Sequence, residues 1–164
     1  MTTVLLLQQR RFDSSTLMRS LAYSMALSVR QAQVYGTSVR EFNGTGNFNA
    51  DYGVSFSAGS NTYYLFADVN GNHAYDSSPT DEKIQQFKIN NAYSITRLCP
   101  TSACTTSLTS LVVYFKRPNP DAFFAGTPSG TYNSGYIQIT GPVGETRGIT
   151  VTNTGQIVVG GVGT

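Results

Sequence analysis

The segment Asp68-Val69-Asn70-Gly71-Asn72-His73-Ala74-Tyr75-Asp76 places side-chain oxygens at its first, third, fifth and ninth positions, with the Ala74 carbonyl available at the seventh. Oxygens on alternate residues of a tight turn suit a hard divalent cation, because calcium gathers roughly six to eight of them from a short loop. Asp68, Asn70, Asn72, Ala74 and Asp76 are therefore candidate calcium ligands, and every one would donate oxygen. The spacing follows the first part of an EF-hand-like loop and departs from it twice. His73 stands where glycine is expected, and Pro79 where a bidentate glutamate should close the cage. Asp81 or Glu82 replaces that last ligand only if the loop is longer. The competing reading is a hairpin turn, since Asn70-Gly71 lies between apolar strands and Asx side chains cap their own backbone.

The charge distribution draws attention to the same stretch. Residues 1–40 carry five Arg and one Asp, residues 41–82 carry six carboxylates and no Lys or Arg, and residues 83–164 carry six bases and two acids. The three segments contribute +4, −6 and +4, which sum to the net +2. An acidic block without internal counter-charge is one that a cation stabilises, or a set of solvated turns. Only 12% of the 164 residues are charged, whereas Ser, Thr, Asn and Gly make up 64 of them. A surface of short neutral polar groups suits the outside of a cell better than the cytosol.

Other chemistry finds little support. The one histidine, His73, would have to serve any Ser-His-Asp or Cys-His site, and no G-x-S-x-G elbow frames a nucleophile. Phosphate-cradling glycine motifs are absent, so catalysis is not expected. Cys99 and Cys104, separated by Pro-Thr-Ser-Ala, close a tight disulfide loop in an oxidising compartment or remain two free thiols in a reducing one. Zinc lacks a second ligand pair. Arg10, Arg11, Arg19, Arg30 and Arg40 lie on the helix side and read as a solvated polar face, with membrane phosphates or DNA as the alternative, and Lys116-Arg117 is too small to be a basic patch, so nucleic acid is not the expected partner.

These residues must be positioned by an α+β arrangement. Asp13, Ser14 and Ser15 offer N-caps for a helix in which Leu17, Leu21, Met25, Val29 and Ala32 form an apolar stripe, ending near Gly36. This stripe should pack on the domain core. Beyond it the pattern turns to short β-type runs: Tyr52 to Ser57, Thr62 to Asp68, Lys83 to Ile89, Tyr93 to Leu98, Leu111 to Phe115, Tyr136 to Thr140, Gly148 to Thr152 and Gln156 to Val159. Short connections such as Ala58-Gly59-Ser60-Asn61 and Thr154-Gly155 make neighbouring strands antiparallel. Segments 43–51, 99–109 and 118–134 read as irregular. Tyr52, Phe56, Tyr63, Tyr64 and Phe66 read as core and cross-strand packing. No apolar run approaches the roughly 18 residues of a membrane span.

The order of short motifs carries a resemblance. Val29-Arg30-Gln31-Ala32-Gln33 closes the helix, followed by Tyr52-Gly53-Val54-Ser55-Phe56, then Tyr63-Tyr64-Leu65-Phe66-Ala67-Asp68 with Asn70-Gly71-Asn72 and Tyr75-Asp76. Leu111-Val112-Val113-Tyr114-Phe115-Lys116-Arg117-Pro118 and Asn119-Pro120-Asp121-Ala122 come next, and the chain closes with Thr146-Arg147-Gly148-Ile149 and Thr154-Gly155-Gln156-Ile157. In this order they resemble a minor pseudopilin or minor type IV pilin of the pseudopilin H type, from the type II secretion and type IV pilus machinery. The resemblance covers the chain from about Phe12 onward.

What the resemblance implies is a pilin-like structural subunit, with a stalk helix over residues 1–36 and a globular antiparallel β-domain over residues 37–164. It would act by assembly at or near a filament tip and not as an enzyme, with other pilin or pseudopilin subunits as partners and no small-molecule substrate. The implied place is the bacterial cell envelope, either as a periplasmic domain anchored in the inner membrane before assembly or in an extracellular filament. Family precursors open with a leader, a Gly-Phe-x-x-x-Glu junction whose mature N-terminus is methylated, and a long apolar segment. Here Met1 to Gln9 retain only Val4-Leu5-Leu6-Leu7, so truncation of the front is expected. Some minor pilins bind DNA through basic C-terminal loops, but no Lys or Arg follows Arg147. The alternative, from the residues alone, is a secreted calcium-dependent adhesive or binding β-module.

Overall fold

A computed structural model describes residues 2–160 apart from 45, 47, 79–81 and 102; for residues 2–13 it describes the helical backbone only. One helix, α1 (Thr2–Thr37), precedes nine strands: β1 (Asp51–Ser57), β2 (Thr62–Asp68), β3 (Lys83–Lys88), β4 (Ser94–Cys99), β5 (Ser110–Phe115), β6 (Ala122–Thr127), β7 (Ser134–Thr140), β8 (Thr146–Thr152) and β9 (Ile157–Gly160). All pairings are antiparallel. They form one sheet in the order β3-β2-β1-β5-β6 and a second in the order β4-β7-β8-β9. The chain is thus α+β, with a single N-terminal helix laid on antiparallel sheets. Among the described residues no helix is long and apolar enough to cross a membrane.

The helix begins at Thr2, and Asp13 to Ser15 lie inside it. The expected caps are bypassed because nothing between Thr2 and Asp13 breaks a helix: Leu and Gln propagate it, and neither Gly nor Pro interrupts. Met25, Val29 and Ala32 are fully buried and Leu21 is partly so, whereas Leu17 is 39% exposed. Met18 and Ala22 take the inward positions at that end, so the buried stripe is rotated by one residue there. Gly36 sits against β5, where a Cβ would lie 2.7 Å from the Phe115 Cβ, so only glycine lets the helix end approach so closely.

The helix and both sheets share one core. Val29 and Met25 meet Val54, Phe56 and Leu65 of β1 and β2, Val113 and Phe115 of β5, and Ile137, Ile139 and Ile149 of the second sheet, all in one apolar cluster. Each such side chain removed from water contributes about 1.5–3 kcal/mol. The segment 118–134 contains a strand that its composition conceals. β6 runs from Ala122 to Thr127 and pairs along the length of β5, with Phe124 facing the core. Gly126 and the flanking prolines disguise it, and an edge strand tolerates them because one side needs no partner.

Gln33 ties the helix to the β-domain by polar means. It is buried, and its side-chain amide donates to the carbonyls of Pro120 at 2.7 Å and Gly155 at 3.3 Å. Ser28, also buried, shares a hydrogen bond of 3.2 Å with the Tyr63 hydroxyl of β2.

Candidate functional site

The acidic segment becomes a site through strand register. A four-residue turn between β1 and β2 places Asp51, the first residue of β1, opposite Asp68, the last of β2. Tyr52 pairs with Phe115 on the other side of β1, which brings Lys116 beside Asp51. The Lys116 Nζ is 3.4 Å from Asp51 Oδ2. Two carboxylates facing each other at one end of a sheet repel, so this end requires positive charge or hydrogen-bond donors.

Asp68, buried to 4% exposure, receives them from the loop that follows β2. Its Oδ1 accepts the backbone N–H groups of Gly71 at 2.7 Å and Asn72 at 3.2 Å. Its Oδ2 accepts both the backbone N–H and the ring Nδ1–H of His73, each at 2.9 Å. His73 holds a left-handed backbone, φ +58°, the conformation that the missing glycine would have supplied. Glu82 completes the loop from the other end, accepting the N–H of Val69 at 2.9 Å and of Asp76 at 3.2 Å.

The loop lies over the outer face of the first sheet. The His73 ring stacks on Tyr114 of β5 with centroids 4.4 Å apart, and Tyr75 stacks on Tyr64 of β2 at 4.6 Å. Burial holds the Tyr114 phenol above its ordinary pKa, and the negative charges of Asp51 and Asp68 push it the same way. Tyr52, Phe56, Tyr63 and Phe66 are buried in or beneath the sheets.

The side-chain oxygens of Asp68, Asn70, Asn72 and Asp76 singled out for calcium accept hydrogen bonds from the loop backbone or from neighbouring Asn amides. Asn70 and Asn72 turn their side-chain carbonyls toward the N–H groups of Asn72 and Ala74, and donate their amides to Asp76 Oδ2 at 2.8 and 2.6 Å. Pro79 and Asp81 lie outside the described residues. The group whose geometry could hold a metal ion is a different one: one ligand atom each from Asp51, Asp68 and His73, all within 4.8 Å of one another. Only Asp68 is common to both sets. Asp51 belongs to the acidic block from which any two carboxylates could be expected to approach, but it is outside the calcium set because it lies before the loop; the register of the β1–β2 hairpin places it opposite Asp68. A cation entering here would compete with the His73 proton for Asp68 and with Lys116 for Asp51.

Cys99 and Cys104 form a disulfide with Cα atoms 5.1 Å apart. It closes the loop that leaves β4. Comparison with protein-family models, with curated proteins and with solved structures finds no match for this chain.

Proposed function

We propose that this chain is a structural assembly subunit of the pilin type, as the order of its sequence motifs suggests, acting in a secretion pseudopilus or a type IV pilus through protein contacts and not through catalysis. One observation carries the reading. The single N-terminal helix runs for 36 residues, about 54 Å, yet the first fully buried helical side chain among those described is Met18. Tyr23, Leu27 and Val34 of the helix are 59%, 69% and 55% exposed. Exposed apolar residues spaced four and seven apart along a helix suit packing against a neighbouring helix. Neighbouring pilin-type helices, and the inner membrane before assembly, are the expected partners; the globular domain would stand in the periplasm or outside the cell. Photo-crosslinking from Leu27 and Val34 in the native cell envelope tests this. Adducts with chains that carry an apolar N-terminal helix support it, and a protein that stays monomeric at both positions overturns it.

A second reading rests on the carboxylate pair and histidine. A divalent cation held by Asp51, Asp68 and His73 would be bound by two oxygens and one nitrogen, a donor set that suits zinc, nickel or manganese better than calcium. Calcium would rely on Asp51 and Asp68 with backbone and water oxygens completing its shell. Separate calorimetric titrations with calcium and with zinc, repeated on Asp51→Asn, decide this. Heat that vanishes in the variant supports the site, and no heat with either ion removes it.

A further inference from the structure

We propose that the cleft beside β6 is a binding site for a neutral sugar ring. It is assembled from three distant parts of the chain that the backbone laces together. The Ala122 N–H donates to the Asn153 carbonyl at 2.9 Å, and the Asn153 N–H donates to the Asn133 carbonyl at 3.0 Å. The turn before β6, the loop before β7 and the β8–β9 turn are thereby held side by side. Their side chains Asp121, Thr131, Asn133 and Asn153 line one cleft together with Phe123 and Tyr132.

Asp121, Thr131, Asn133 and Asn153 are all exposed and line one concave surface, so their polar groups are open to a ligand. Asn amides present a donor and an acceptor a short distance apart, and a carboxylate presents two acceptors, a pattern that matches adjacent hydroxyls of a sugar. The aromatic walls meet the other demand, since a pyranose exposes an apolar C–H face. Phe123 is 40% exposed and held in place by stacking on Tyr114 with centroids 5.6 Å apart. The Tyr132 ring packs against Gly130, and its hydroxyl donates to the Pro128 carbonyl, which fixes its orientation. Convergent polar groups on a preformed site with apolar walls are the usual make-up of a small-ligand pocket. Asp121 is the one charged residue of the lining, so an anionic ligand is disfavoured.

This inference does not depend on the assembly reading, because a chain that forms no helix contacts can still hold a sugar. Saturation-transfer NMR on the full chain, with glucose, galactose, mannose and N-acetylglucosamine offered separately at millimolar concentration, provides the test. Transfer to the ring protons of at least one sugar is expected, lost in Phe123→Ala and in Asn153→Ala and retained in Val143→Ala, a residue 60% exposed outside the cleft lining. If Phe123→Ala fails to fold, Asp121→Asn takes its place, since it keeps the shape and removes one acceptor. Absence of transfer to every sugar overturns the proposal. So does transfer that survives the cleft substitutions unchanged.

Discussion

Asp68 Oδ2 accepts two hydrogen bonds from His73, one from its backbone N–H and one from its ring Nδ1–H, both at 2.9 Å. A carboxylate can only accept, so the ring proton stands on Nδ1 and the imidazole is oriented by the strand end beneath it. The same contact holds a non-glycine residue at positive φ and seats its ring on Tyr114. Asp68 therefore organises the whole loop, whatever that loop binds.

Asp68→Ala should lower stability by about 3 kcal/mol, because four donors lose a buried, charged acceptor together. Urea denaturation measures the loss, and limited chymotrypsin digestion should show new cleavage at Tyr75 once its stacking on Tyr64 loosens. A change below about 0.5 kcal/mol, within the range of ordinary surface substitutions, would show that the loop holds itself without Asp68.

The helix clamp makes a separate prediction. Gly155 has φ +76°, and a Cβ there would come within 2.3 Å of the Pro120 carbonyl oxygen. Gly155→Ala should therefore cost more than Gln33→Ala, which removes the amide donor and leaves two carbonyls to find water, at about 1–3 kcal/mol. Thermal melts of the two variants give the order.

Replacing both cysteines with serine should cost about 2 kcal/mol, the small value expected for so short a closed loop. The intact chain should weigh two hydrogens less before reduction than after it. Reduction should leave far-ultraviolet circular dichroism unchanged, since the bridge joins the end of β4 to its own following loop.

Stability should fall on the alkaline side. Burial is the largest cause raising the phenols of Tyr63, Tyr114 and Tyr136 above the ordinary value of 10.0. The unfolded chain then loses these protons first, so their contribution is complete below pH 10.0 and drains away as the pH rises through the higher folded values. The Tyr136 hydroxyl is buried without a hydrogen-bond partner among the described residues. Tyr136→Phe should accordingly keep or raise the urea midpoint at neutral pH and flatten its decline at high pH.

Much of this architecture is legible in the residues. The 3.6-residue spacing of Met25, Val29 and Ala32 identifies the buried helix face, and the runs from Tyr52 to Ser57 and Thr62 to Asp68 announce β1 and β2 because aromatic and apolar residues are bounded there by turn residues. Local signals failed where a neighbour made the decision. Leu17 fits the stripe by spacing, but the β-domain meets the helix on the side of Met18. β6 reads as loop because its own composition is poor, and it is a strand because β5 offers a full edge to pair with.

The candidate site divides along the same line. That Asp68 would order a turn, that Cys99 and Cys104 were close enough to join and that an acidic block lacked internal counter-charge were all determined by sequence, since each depends on residues a few positions apart. That Asp51 stands opposite Asp68 follows from the register of one hairpin, whereas that Lys116 neutralises it and that Asp121, Asn133 and Asn153 share one cleft were decided only by tertiary structure. Those last juxtapositions arise between segments distant along the chain, where register and backbone hydrogen bonds, and not nearness in sequence, determine which side chains meet.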